Sequence, residues 1–95
     1  MEFTWDPDKA AENLRKHGVD FVEASTIFGD PLEVTISDPE HSEGEVRFLS
    51  LGQSTDARLL VVAYTEREGT IRIIHARMAA PKERRAYESD QRTKD

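Results

Sequence analysis

Apolar residues recur every three or four positions through the first third of the chain, and after Pro31 they switch to the two-residue alternation of strands. Phe3, Trp5 and the residues around them alternate, which predicts a short first strand. Asp6-Pro7 then supplies an N-cap side chain followed by proline at the first helical position. Ala10, Ala11, Leu14 and His17 follow at helical spacing, and Gly18 stands where a left-handed cap is easiest for glycine, so the first helix is expected over 7–17. Asp20 with Glu23 has capping-box spacing, with Asp in the Ser/Thr place. Phe21, Ala24, Ile27 and Phe28 form an apolar stripe that stops at Gly29-Asp30-Pro31, which predicts a second helix over 21–28.

Strands are expected over 32–36, 45–51 and 59–65, the first two separated by the polar stretch 37–44 and the last two by Gly52-Gln-Ser-Thr-Asp-Ala. Leu59-Leu-Val-Val-Ala-Tyr64 is apolar on both faces, as a central strand is. Glu68-Gly69 marks a hairpin into a strand over 70–77, and a last helix starts at Ala79-Ala-Pro81, with a poor N-cap, and runs to about residue 88. The expected fold is α+β: a single domain over 1–88, with an antiparallel sheet of four to five strands, two N-terminal helices and one C-terminal helix, then a disordered tail over 89–95. Simple alternation puts Ile71, Ile73, His75 and Arg77 on one face of the last strand and Arg72, Ile74 and Ala76 on the other. It likewise sets Arg47, Leu49 and Leu51 opposite Val46 and Phe48.

Ninety-five residues suffice for one modest core. No cysteine is present, so disulfides and thiolate metal sites are excluded. No apolar run approaches the roughly 18 residues of a membrane span, and Met-Glu-Phe-Thr-Trp-Asp lacks the cationic start of a signal peptide; a cytoplasmic protein is expected. The net charge of -6 is unevenly laid out: residues 1–46 carry -9, 47–66 are neutral, 67–87 carry +4 and 88–95 carry -1. Acidity argues against nonspecific coating of nucleic acid, which needs many Lys and Arg on phosphates, and leaves room for one local basic site. The basic stretch holds Arg67, Arg72, Arg77, Lys82, Arg84 and Arg85 beside His75 and Tyr87, a set suited to a polyanion such as phosphate.

Several separated blocks carry a resemblance: Phe-Thr-Trp5-Asp-Pro-Asp-Lys9-Ala-Ala-Glu-Asn13-Leu-Arg-Lys16-His17-Gly18-Val, Phe21-Val-Glu-Ala24, Phe28-Gly-Asp30-Pro31, Asp38-Pro-Glu-His41-Ser42, Glu45-Val-Arg47, Ile71-Arg72-Ile-Ile-His75-Ala-Arg77 and Glu83-Arg-Arg-Ala-Tyr87-Glu. In this order, from Phe3 to Glu88, the chain resembles the BrnT family of type II toxin-antitoxin toxins. The resemblance implies a RelE-like fold, a ribonuclease that arrests translation, and neutralisation by a cognate ribbon-helix-helix antitoxin (BrnA-like) in a hetero-oligomer. It further implies that DNA is contacted only through that antitoxin. Position 75 is commonly Ser in sequences of this kind, so a duty for His75 is particular to this chain.

RNA cleavage without a metal needs the 2'-oxygen deprotonated, the leaving 5'-oxygen protonated, and the phosphoryl charge stabilised. Arg77 is the expected charge stabiliser and Arg47 a second clamp; their bland alternative is solvation or ion pairing with Glu45 and Glu83. Glu83 is either a general base or the partner of Arg77, and the salt bridge is favoured because a nearby guanidinium makes a carboxylate a weak base. His75 is a candidate acid or base, while His17, at a helix C-terminus, reads as a structural cap before it reads as functional. His41 lies in the polar loop as a turn residue, a site residue or an antitoxin contact. The three histidines lack the short spacing of a metal set, and neither metal nor cofactor is expected. Tyr87 stacks on a base, orients a phosphate or packs its helix on the sheet, while Arg67, Arg72, Lys82, Arg84 and Arg85 are candidates for the RNA backbone, the last three with a solvated helix face as the alternative. Two other functions remain: an inactive module that only holds a DNA-binding antitoxin, for which the acidic first half is suited, and direct DNA binding, which the net charge and the absence of a helix-turn-helix pattern oppose.

Overall fold

The computed structural model describes residues 1–38 and 44–93, with side chains described up to residue 89. Along the chain come β1 (Glu2–Thr4), α1 (Pro7–His17), α2 (Phe21–Ser25), a 3-10 turn (Thr26–Gly29), β2 (Val34–Ser37), β3 (Arg47–Gln53), β4 (Leu59–Arg67), β5 (Thr70–Met78) and α3 (Pro81–Thr93). α1 has the expected bounds. Asp6 accepts from Asp8 N–H at 2.8 Å, and Gly18 closes the helix at φ 68°, its N–H on the Leu14 carbonyl. The second helix is shorter than its apolar stripe: it ends at Ser25 and tightens into the 3-10 turn, where Thr26 Oγ1 donates back to the Glu23 carbonyl at 2.6 Å. α3 runs past the expected end to Thr93.

The sheet order is β1-β5-β4-β3-β2, antiparallel except that β1 joins the far edge parallel to β5. β4 is central, and its residues 59–64 are buried on both faces. At the β4–β5 turn Glu68 and Gly69 both take positive φ, 53° and 82°, the conformation that matches the twist of a two-residue hairpin. α1, α2 and the 3-10 turn cover one face, where Val19, Phe21, Ala24 and Ile27 pack on Leu60, Val62, Tyr64, Ile71, Ile73 and Ala76. Trp5 meets Phe21 edge-on at 6.0 Å, and Phe28 meets Tyr64 likewise at 4.9 Å. Gly52 allows the close approach of β3, since a Cβ there would sit 3.1 Å from Ile27 Cβ. α3 lies across the opposite, outer face; Glu83 and Ala86 share an apolar cleft of about 200 Å³ with Val34, Ile36, Leu49, Leu51 and Val61.

Two expectations about facing residues are corrected. Ala63 pairs with His75 but Tyr64 pairs with Ile73, so Ile74 is an extra residue on β5, a β-bulge. The bulge resets the alternation: Ile71 and Ile73 face the helices, while Arg72, through its partner Thr65, lies on the same outer face as His75 and Arg77. On α1, Leu14 is 50% exposed and Asn13 is buried. A polar residue turns inward because β5 beyond β1 has an unpaired edge there: Asn13 Nδ2 donates to the Ala76 carbonyl at 2.8 Å and Ala76 N–H donates to Asn13 Oδ1 at 3.1 Å. The carboxamide thus stands in for a neighbouring strand, and Nδ2 also reaches the Val19 carbonyl at 2.9 Å.

Candidate active site

Cross-strand pairing lays out the outer face in rows: Arg47, Thr65 and Arg72, then Leu49, Ala63 and His75, then Leu51, Val61 and Arg77. Small or β-branched side chains on β4 form the floor, with basic groups on the flanking strands. Arg77 is fixed by a fork, Nη1 to Glu83 Oε1 at 2.7 Å and Nη2 to Glu83 Oε2 at 2.8 Å. Glu83 Oε1 also accepts from Ala80 N–H at 2.8 Å, so the third residue of α3 caps a helix whose Ala80 has no capping oxygen of its own. The Arg77 guanidinium and that backbone N–H hold the Glu83 carboxyl below its ordinary range although burial opposes this, and the Arg77 pKa rises in return. Glu83 therefore occupies the salt-bridge geometry rather than that of a base.

His75 is half-buried, and its Nε2 lies 3.1 Å from Nε2 of His17, the rings edge to face with centroids 4.7 Å apart. Burial first, then the charges of His17, Arg77 and Arg47, push the His75 pKa below its usual value, so the neutral imidazole is favoured. Arg47 is held by Asp38, with Nε 3.9 Å from Oδ2 and the Asp38 N–H on the Arg47 carbonyl at 2.7 Å. The expected partner Glu45 instead pairs with Arg67 at 2.6 Å. A neutral imidazole among fixed guanidiniums can accept a hydroxyl proton and stabilise an anionic phosphoryl group.

The remaining candidates lie elsewhere. Tyr87 is 6% exposed and donates to Asp30 Oδ2 at 2.6 Å, anchoring α3 to the turn before β2; burial and the adjacent carboxylate push its pKa up to about 12. Asp30 also accepts from Gln53 N–H at 2.9 Å and Leu32 N–H at 2.9 Å; burial works against ionisation, yet these hydrogen bonds leave its pKa lowered. Arg67 and Arg72 line a second cleft of about 350 Å³ at the hairpin end with Thr4, Glu45, Thr65, Glu68 and Thr70. Lys82, Arg84 and Arg85 are exposed on α3. His41 lies outside the described residues.

Sequence reasoning passed over Asn13, Asp38 and the partnership of His17. Asn13 and His17 are four residues apart on α1 and so share a face, which was the available signal; the contact with His75 depends on where α1 docks. Among the described residues no group of three His, Cys, Asp or Glu forms a metal-ligand set.

Residues 5–83 match the family described as ribonuclease toxin, BrnT, of type II toxin-antitoxin system. No curated protein matches the chain in sequence. Among solved structures it is similar to the Brucella abortus ribonuclease toxin BrnT, known from a 1.1 Å crystal structure, with TM-score 0.61 and 20% identity over 84% of this chain and 97% of that one. At that identity the structural likeness bears on the fold, and the family match, spanning most of the chain, establishes that it belongs to the BrnT ribonuclease toxins of type II toxin-antitoxin systems.

Proposed function

We propose that the chain is an endoribonuclease that cleaves RNA on the outer face of its sheet, arrests translation in the cytoplasm, and is neutralised by a ribbon-helix-helix antitoxin. The observation that carries this reading is the grouping of Arg77, Arg47 and His75 on that face, with Arg77 locked by Glu83. Neutral His75 takes the 2'-hydroxyl proton. The O2'–P bond then forms as P–O5' breaks, water supplies the proton to O5', and the products are a 2',3'-cyclic phosphate and a 5'-hydroxyl. Arg77 stabilises the added charge on the phosphoryl oxygens, with Arg47 as second donor; Glu83 positions Arg77. Arg72, one row beyond His75, extends the basic track for the RNA backbone, which Arg67, Lys82, Arg84 and Arg85 continue at the rims. The acidic first 46 residues favour a basic partner, as a DNA-binding antitoxin is, and DNA is reached through it alone.

The test is expression without the antitoxin: growth and bulk translation stop with the wild-type chain and recover with Arg77→Ala, while the purified variant keeps its unfolding free energy to within about 1 kcal/mol. Full toxicity from a folded Arg77→Ala protein would remove the assignment. A purified chain inert on RNA that still binds its antitoxin would favour a partner-binding module instead.

A further inference from the structure

The proposed reaction uses only one ring, His75, of the imidazole pair at the junction of α1 and β5, and gives its partner His17 no part. Asn13 and His17 stand one turn apart on α1, and His75 and Ala76 are neighbours on β5, so the carboxamide clamp on Ala76 also sets the approach of the two rings. They line a cleft of about 230 Å³ with Lys9, Glu12, Asn13, Lys16 and Ile74. Two Nε2 atoms 3.1 Å apart share a single proton, because two N–H groups cannot face each other and two lone pairs do not attract. One ring donates and the other accepts, and the choice fixes which nitrogen of His75 remains for substrate.

We propose that His17 is a positioning residue for RNA cleavage: its Nε2 accepts the Nε2 proton of His75, so that the lone pair of His75 is on Nδ1, the nitrogen that takes the 2'-hydroxyl proton. This rests on the ribonuclease reading above. When Nδ1 is protonated, His75 becomes an imidazolium whose Nε2–H is already directed at an acceptor, the part an orienting group plays for a catalytic base. The charged groups around the pair are Lys9, Glu12 and Lys16 on α1 and Arg77 and Arg47 on the sheet. Glu12 accepts from Lys16 at 2.7 Å, which tempers that charge locally. Excess positive charge disfavours a second proton on the pair, and the bulge at Ile74 is what turns His75 to this face.

The experiment compares wild type, His17→Ala and His17→Gln, the last offering a side-chain carbonyl as acceptor. In 15N-resolved imidazole spectra of the full chain, His75 is expected to carry its neutral-state proton on Nε2, and His17→Ala to release that tautomer preference. In cleavage assays, kcat falls about 10- to 100-fold in His17→Ala with KM unchanged, and His17→Gln recovers most of it. The acid limb of the rate profile moves to lower pH in His17→Ala, because the imidazolium of His75 loses its acceptor, and stays in place in His17→Gln. A role confined to helix capping would move neither the tautomer nor the limb. A wild-type His75 protonated on Nδ1, or a folded His17→Ala protein with unchanged kcat and limb, would overturn the proposal while the ribonuclease reading stands. A wild-type chain that cleaves no RNA would overturn both, and the spectra would still decide the pairing.

Discussion

Burial, and after it the surrounding charge, holds the His75 imidazole below its ordinary pKa. Its pKa is lowered from 6.5, so the folded state binds fewer protons than the unfolded chain as pH falls past that value. Two outcomes follow. The acid limb of cleavage lies below pH 6.5, and His75 disfavours the fold once pH drops through its unfolded value, an effect absent from His75→Ser. Arg77→Lys keeps the charge but not the planar fork to Glu83, and is expected to lose about 100-fold in kcat with little change in KM, read from steady-state kinetics. The Arg77–Glu83 pair was legible in the sequence because strand end and helix start are only six residues apart. The meeting of His17 with His75 was not, since it joins residues 58 apart through the docking of α1.

At the scale of elements, the side chain of Asn13 ties the helix α1 to the backbone of β5. Asn13→Ala leaves the Ala76 N–H and carbonyl without that partner and is expected to cost about 1–3 kcal/mol, measured by denaturant unfolding, with faster hydrogen exchange at Ala76. At the other end Tyr87→Phe removes the donor to Asp30 and is expected to cost about 1 kcal/mol and to loosen α3. Element types were legible because the periods of 3.6 and 2 are strong signals, and the caps Asp6 and Gly18 placed α1 correctly. The second helix was read too long because its apolar stripe continues through the 3-10 turn. The bulge left no trace because Ile73 and Ile74 are both apolar, whichever one turns inward.

For the molecule as a whole, acid stability among the described residues depends on the three carboxylates that combine a lowered pKa with partial burial: Glu23 under Arg58, Asp30 under Tyr87 and backbone N–H groups, and Glu83 under Arg77. Their stabilisation is complete above the ordinary values of 4.5, 3.8 and 4.5 and disappears as pH falls through the lower folded values. Unfolding at acid pH should therefore begin with loss of the α2 and α3 attachments, seen as early exchange at Gln53 and Ala80, whose N–H groups donate to Asp30 and Glu83. No helix of the described residues is long and apolar enough to cross a membrane. The acidic N-terminal half should make association with a basic antitoxin faster at low salt, an on-rate that falls as ionic strength rises. The one-residue insertion in β5 also bears on how homologues are compared: in a relative with an uninterrupted pleat, the amino acid aligned with Arg72 would point to the opposite side from its counterpart here. Functional positions upstream of Ile74 should accordingly be transferred by superposition in space and not by alignment column.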